Sequence, residues 1–437
     1  MISQIFLVKS TICPRIFSNL SKKSALAVLA CAALFGLLPA QQISQQALFA
    51  EASFDRWQAE GQREQVPWKV KLFPVTLSVH QRLEAGIEVH LPFQEIAARR
   101  NHRIFLLLQV IDPSRRRYRT CQVLDLDQAA PDPARGKRQP DVPFFWGMFV
   151  LPGNYDVEVG LYDQATGEHN LERHKLEVAP LDIDPLPSAW RELPSVEFLS
   201  PATGGLDGLY RSDVEGRLNL PLRTGRPLHL EILADMTASE AFFSDTAGYE
   251  RYLAGILPIV KVLSQISPSK GSVSVAALDL DRRRVTMEQP NLHELRWPPW
   301  KESLVSGGPG VVSMRSLMER RRSPEFLRDE LVRRLKEAPD APGPAGDPVV
   351  VFVVVGGPMD TYSFPDLSPI SLSGQADCMV FYLQYDAKAK ANSKAAAGGS
   401  KNVEKMLRPL RVRTFTVRSA ESIRHTLARV MEEISRM

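Results

Sequence analysis

Apolar positions change their rhythm once along this chain. From Trp68 to Pro180 they follow a period of two or run unbroken for a strand's length. Tyr155 to Tyr162 alternates strictly, which gives one buried and one wet face. Leu83 to His90 alternates in part, Ile104 to Ile111 reads as a fully buried strand, and Leu171 to Val178 alternates again. Tyr118 to Leu126 and Phe144 to Leu151 supply two more strands, with turns at Pro152-Gly153 and Thr166-Gly167. Short strands, turn signals and no helical period predict an all-β sandwich over residues 66–180.

From Leu228 onward strands alternate with helical patterns. Leu228 to Ala234, Ser272 to Leu280, Val349 to Val355, Asp377 to Tyr385 and Arg411 to Val417 read as strands, with Arg284 to Met287 as an antiparallel edge. Tyr249 to Ile266 places Leu253, Ile256, Leu257, Val260 and Leu263 on one helical face, and Pro258 predicts a kink in it. Ser323-Pro324 gives an N-cap and a first-turn proline to a helix carrying Phe326, Leu327, Leu331 and Leu335. Ser419 caps a last helix with Ile423, Leu427, Val430, Met431 and Ile434 on its apolar face. The fully apolar run at Val349 fits a central parallel strand. This order predicts a doubly wound, Rossmann-like α/β domain over residues 226–437. Residues 181–225 read as a linker with a short hairpin, and the proline-rich stretch Asp182 to Pro194 predicts a domain boundary with few crossing contacts.

Residues 1–40 fit neither pattern. Lys9, Arg15, Lys22 and Lys23 precede an uncharged apolar run from Ala25 to Ala40. A basic flank, an apolar centre and a small residue at its end predict a signal peptide, removed after Ala40 or within Ala47 to Ala50. The run is shorter than the roughly 20 residues a spanning helix needs. The expected location is therefore extracytoplasmic, periplasmic or secreted, with an N-terminal membrane anchor as the alternative. Residues 41–65, rich in Gln, Ala and Glu, read as a linker. The formal charge of +4 comes from this leader: beyond residue 40 stand 50 basic and 50 acidic residues. A neutral remainder argues against nucleic acid as a partner. Cys121 and Cys378 fall in apolar runs of different domains and predict no disulfide.

Candidate chemistry centres on Asp235-Met236-Thr237-Ala238-Ser239, directly after a predicted strand. A carboxylate and two hydroxyls at alternate positions can aim three hard oxygens at one point, a set suited to Mg²⁺ or Mn²⁺. The spacing D-x-T-x-S resembles the first metal-site loop of von Willebrand factor type A domains, and the resemblance extends over residues 226–437. In that family a second loop reads Gly-Gly-Thr and a third Ser/Thr-Asp-Gly. Here Ser306-Gly307-Gly308-Pro309-Gly310 puts Pro309 at the Thr position, and Val355-Gly356-Gly357 puts Gly356 at the Asp position. The resemblance thus implies a metal site with one loop of three intact, for which Asp360, Ser306 and Ser313 are substitute ligands. The competing reading is that Asp235, Thr237 and Ser239 cap the following segment or bond neighbouring loops. Leu151-Pro152-Gly153-Asn154-Tyr155 resembles the late hairpin of immunoglobulin-like modules, with Tyr155 as the tyrosine that closes the corner.

Catalytic signatures are thin. His169 and His174 lack metal spacing, and no nucleophile elbow or phosphate-binding loop stands in the sequence. Trp297-Pro298-Pro299-Trp300 reads as packing against the sheet edge or as an exposed recognition surface. The expectation is a non-enzymatic, exported module that contacts an unidentified protein partner, without a small-molecule cofactor and with at most weak Mg²⁺ or Mn²⁺ binding. The alternative is an extracytoplasmic hydrolase with its site at the carboxyl edge of the α/β sheet.

Overall fold

The computed structural model describes residues 52–124, 126, 141–199, 216–237, 246–307, 323–337, 348–357, 377–386 and 404–437. The chain is mixed α/β and built around several sheets.

Strands β1 (Lys69–Leu72), β3 (Leu83–Leu91), β6 (Val142–Val150) and β9 (Val196–Phe198) form one antiparallel sheet in that order, with β2 (Thr76–Leu77) paired to β3. Strands β4 (Ile104–Ile111), β5 (Arg117–Leu124), β7 (Gly153–Asp163) and β8 (His169–Val178) form a second, ordered β5-β4-β7-β8. The period of two decides which residues meet between them. Ala85, Ile87 and Val89 of β3 and Trp146 and Met148 of β6 share one buried core with Leu106, Leu108 and Val110 of β4 and Val157, Val159 and Leu161 of β7. The Tyr155 hydroxyl donates to the Leu151 carbonyl at 2.7 Å and to that of Ser195 at 3.2 Å. These bonds tie the start of β7 to the turn before it and to the segment leading into β9.

A six-stranded sheet forms the second half. Its strands are β11 (Leu228–Asp235), β13 (Gly271–Asp279), β14 (Arg284–Gln289), β15 (Val349–Gly356), β16 (Cys378–Tyr385) and β17 (Arg413–Val417), in the order β14-β13-β11-β15-β16-β17. All neighbours are parallel except β14, which runs antiparallel to β13. Every residue of β15 is buried, because helices cover both faces. Val351, Val353 and Val355 face α3 (Thr246–Ser264), α4 (Trp297–Gly307) and α6 (Ala420–Ser435). Val350, Phe352 and Val354 face α5 (Ser323–Glu337) and the turn around Met406 and Leu410. Ser419 caps α6 through a reciprocal exchange with Ser422, as its sequence position predicts. Trp300 is buried in α4, so the Trp-Pro-Pro-Trp stretch packs a helix start against the sheet instead of projecting from it.

Three local expectations change. Residues 52–65, read as linker, are packed: 52–57 form a helix, α1, that buries Phe54 and Trp57 on the outer face of the β5-β4-β7-β8 sheet. An aromatic pair three residues apart lies on one side of a helix turn, and that pattern is short enough to miss; a second short helix, α2 (Phe93–Ala98), follows β3. Among the described residues of 181–225, no hairpin forms. β9 joins the first sheet, and β10 (Leu220–Leu222) pairs in parallel with β12 (Ile266–Pro268). The proline-rich stretch is also packed. Arg424 of α6 donates from Nε and Nη2 to Asp184 at 2.7 and 2.8 Å, and its guanidinium lies 4.4 Å from the centre of the Trp190 ring. Gln81, in the turn between β2 and β3, receives Trp190 Nε1 on its carbonyl at 2.7 Å and donates from its side chain to the Ala420 carbonyl at 3.0 Å. A boundary with few crossing contacts is therefore corrected to a seam with a buried ion pair.

Candidate functional site

Strand order reverses at β11, which has β13 on one side and β15 on the other, and open α/β sheets present ligand crevices at such a point beyond the strands' carboxyl ends. Asp235 ends β11, and Gly356 ends β15 beside it.

The Asp235 carboxylate is turned inward. Its Oδ1 accepts the Thr237 N–H at 3.0 Å and also the Thr237 hydroxyl. Thr237 Oγ1 in turn accepts the Leu280 N–H at 2.8 Å, tying the loop after β11 to the end of the β13 segment. The two residues that the sequence pairs as ligands thus bond to each other and to neighbouring backbone. A Cβ on Gly356 would stand 2.8 Å from Asp235 Cβ and 3.3 Å from Oδ2. Glycine at position 356 is what leaves room for the Asp235 side chain. Any larger side chain there would press on Asp235.

Electrostatics follow from this packing. Burial pushes the Asp235 carboxyl up to about 7 against the two Thr237 hydrogen bonds, and the nearby Asp281 and Asp279 push the same way as burial. Asp279 is itself buried and accepts Arg282 N–H and Nη1 at 3.0 Å each. Asp281 accepts the Ser323 hydroxyl at 3.1 Å.

Two tyrosines from α3 and one from β16 close the edge from behind. Tyr252 donates to the Asp235 carbonyl at 2.8 Å and accepts the Gly357 N–H at 2.9 Å. Tyr249 donates to the Met236 carbonyl at 2.9 Å, and Tyr382 to the Gly357 carbonyl at 2.8 Å. Burial raises the pKa of both α3 tyrosines, with the Asp235 charge as the next cause. The sequence reading takes that helix by its Leu and Ile face and passes over this pair. Tyr249 and Tyr252, three apart at the start of the helix after the loop, are the signal that could have found them.

Of the other candidate ligands, Ser239, Asp360 and Ser313 lie outside the described residues, as does Pro309. Ser306 lies in α4, with its side chain outside them. Among the described residues, no group of three His, Cys, Asp or Glu side chains is placed to hold a metal ion. Cys121 and Cys378 are both free thiols, and burial pushes each up to about 11. No helix of the described residues is long and apolar enough to cross a membrane.

Comparison with protein-family models finds no match, and comparison with curated proteins finds none. Among solved structures, the chain is similar to a von Willebrand factor type A structure from Catenulispora acidiphila, at 11% identity and a TM-score of 0.27, over 48% of this chain and 43% of that one. It therefore spans less than half of that structure. It is also similar to a family 123 glycoside hydrolase from Clostridium perfringens, at 9% identity and a TM-score of 0.23, over 80% of this chain and 72% of that one. A family 2 glycosyl hydrolase from Bacteroides cellulosilyticus matches at 10% identity and a TM-score of 0.17, over 82% of this chain and 37% of that one. Likeness at these scores carries no argument about fold or function.

Proposed function

We propose that this chain is an exported, non-catalytic protein-binding protein. In this reading an immunoglobulin-like sandwich is fixed to a type A-like domain whose metal-dependent adhesion site is vestigial. One observation carries it: Asp235 Oδ1 and Thr237 Oγ1, two of the oxygens that would bind metal, are committed within the protein. Asp235 Oδ1 accepts two bonds from Thr237, Thr237 Oγ1 accepts one from Leu280, and Gly356 supplies space where a second carboxylate would be needed. Mg²⁺ demands near-octahedral oxygen ligation and gives up its water reluctantly, so a spent carboxylate is a poor host. The strand order and the Tyr155 corner support the two module resemblances. The step from module to protein binding is an analogy of fold. No nucleic acid and no small-molecule cofactor belong to this reading.

Two measurements test it. Calorimetric titration of Mg²⁺ and Mn²⁺ into the full chain should give no binding in the micromolar range. Micromolar binding that vanishes in Asp235→Ala would mean that Asp360, Ser306 or Ser313 completes a working site. Capture from an envelope extract should retain a specific protein on the full chain. A second reading, an extracytoplasmic hydrolase, is favoured by the Asp235 carboxyl titrating at about 7, where a general acid works best. Turnover of chromogenic ester, peptide or glycoside substrates that is lost in Asp235→Asn would establish that reading instead.

A further inference from the structure

An edge strand leaves a row of backbone N–H and C=O groups without partners on one side. Most edges of these sheets are closed, claimed or short. Leu171 of β8 exchanges both backbone bonds with Arg63, at 2.8 and 3.0 Å. Beside β14, Gln289 and Arg296 bond each other in both directions, and Ser303 of α4 donates to Thr286 at 2.6 Å. On β5, Asp55 takes up both Arg117 and Arg119. β1 has four residues and β9 three.

β17 (Arg413–Val417) differs. It ends the six-stranded sheet, with β16 on one side. The Asp386 N–H, just past β16, continues that pairing to the Val417 carbonyl at 3.1 Å. Among the described residues, no backbone group pairs with the other side of β17. Its sequence, Arg-Thr-Phe-Thr-Val, is rich in β-branched and aromatic residues and holds the chain extended.

Both ends of this edge are basic. Arg408, Arg411, Arg413 and Arg418 are all exposed, with 67% of the Arg411 side chain and 59% of the Arg413 side chain open to solvent. Arg411 shares Asp377 with Arg226, and Arg413 Nε lies 3.3 Å from Glu433. Among the described residues, the side chains of Arg408 and Arg418 have no ion pair. Arg413 and Arg418 bracket the strand, about 17 Å apart along an extended chain. This charge selects the occupant. A second copy of β17 pairing in parallel would set Arg413 against Arg413, and pairing antiparallel would set the Arg411–Arg413 end against Arg418. Like charges across a strand pair are destabilising, whereas carboxylates at both ends of an added strand meet opposite charge in either direction.

We infer that the free edge of β17 is a docking site that a partner protein enters as an added strand, an extended segment with β-forming residues at its centre and a carboxylate near each end. The inference rests on the reading of the chain as a protein-binding protein and names the surface and the chemistry of its partner.

The probe is a fluorescein-labelled peptide, Glu-Glu-Val-Thr-Val-Thr-Glu-Glu, titrated into the full chain and followed by anisotropy and hydrogen exchange. Binding should slow exchange of the amides of residues 413–417 and leave those of β5 and β14 unchanged. It should weaken roughly tenfold in the full-chain variant Arg413→Glu with Arg418→Glu. A peptide with lysine in place of each glutamate should not bind. A peptide with proline at its two central positions keeps the charge but loses backbone donors, and it should not bind either. No binding, binding that leaves residues 413–417 unprotected, or equal binding of the proline peptide overturns the inference. If the charge-reversed variant does not fold, exchange on the unmodified chain and the proline peptide decide. Sedimentation showing a dimer of the unmodified chain that the variant does not form would overturn it in favour of a second copy. An envelope protein retained equally by the variant would uphold the partner reading and overturn this edge. Peptide pairing together with an empty capture from envelope extract would sink the partner reading and leave the edge standing.

Discussion

At the scale of single residues, Asp235 makes the sharpest prediction. Its folded pKa of about 7 lies above the ordinary 3.8, so the native state holds a proton that the unfolded chain releases. Stability from this group is full below about pH 4 and falls as the pH rises towards 7. The gap sets a ceiling of roughly 4 kcal/mol. Asp235→Asn should flatten that decline and unfold at higher urea than the unmodified chain at pH 8, with little difference at pH 4. Stability that instead rises through this window, and loses that rise in the variant, would mark a charged carboxylate ready for metal. Half of this site is legible in the sequence. An acid and a hydroxyl two apart after a strand place themselves. Their mutual bond and the contact with Gly356 are not legible, because they depend on how closely β15 approaches β11. The glycine that reads as a missing ligand is, in space, room made for the aspartate.

At the scale of elements, legibility tracks periodicity and length. β4 runs from Ile104 to Ile111, as its unbroken apolar pattern predicts, and the parallel strands around β15 lie within a residue or two of expectation. What escapes is short or held from outside: β1, β2, β9 and α1 have too few residues to show a period. Charged partners also position elements invisibly. Arg334 of α5 reaches Glu231 of β11 at 2.9 Å and Glu288 of β14 at 3.0 Å, fixing the helix across three strands through charged groups that an apolar pattern does not mark. The Tyr155 hydroxyl fixes the start of β7 through the Leu151 and Ser195 carbonyls. Tyr155→Phe removes a buried hydrogen bond and leaves the Leu151 carbonyl without that donor. A loss of about 1 kcal/mol is expected, seen as a lower urea midpoint with an unchanged slope. A change of slope without a change of midpoint would place the effect in the unfolded state instead.

At the scale of the whole molecule, the seam between the halves matters more than either half's sequence indicates. The proline-rich stretch has the composition of a linker, yet it delivers Asp184 to Arg424 and Trp190 to the turn at Gln81. Arg424 is buried, and the Asp184 side chain is partly so, at 15% exposed. Removing one member of such a pair leaves an uncompensated charge, at a cost of about 3–5 kcal/mol. Arg424→Met should therefore move the denaturation midpoint down by that amount and split one transition into two, followed by tryptophan fluorescence and circular dichroism. An unchanged midpoint would mean that the halves are independent and the seam is incidental.

The central position of β11 has a consequence in time. It pairs with β13, about 40 residues later, and with β15, about 120 residues later. A chain emerging from its N-terminus can join β11 to β13 early, but the other edge of β11 stays unpaired until Val349 arrives. The strand that must then dock is Val-Val-Val-Phe-Val-Val-Val-Gly, an uncharged β-forming run of the kind that self-associates when exposed. Non-local pairing of this sort forms slowly. The interval before β15 finds β11 is thus the chain's most vulnerable moment. Whatever shields these two strands during synthesis governs how much native protein is recovered.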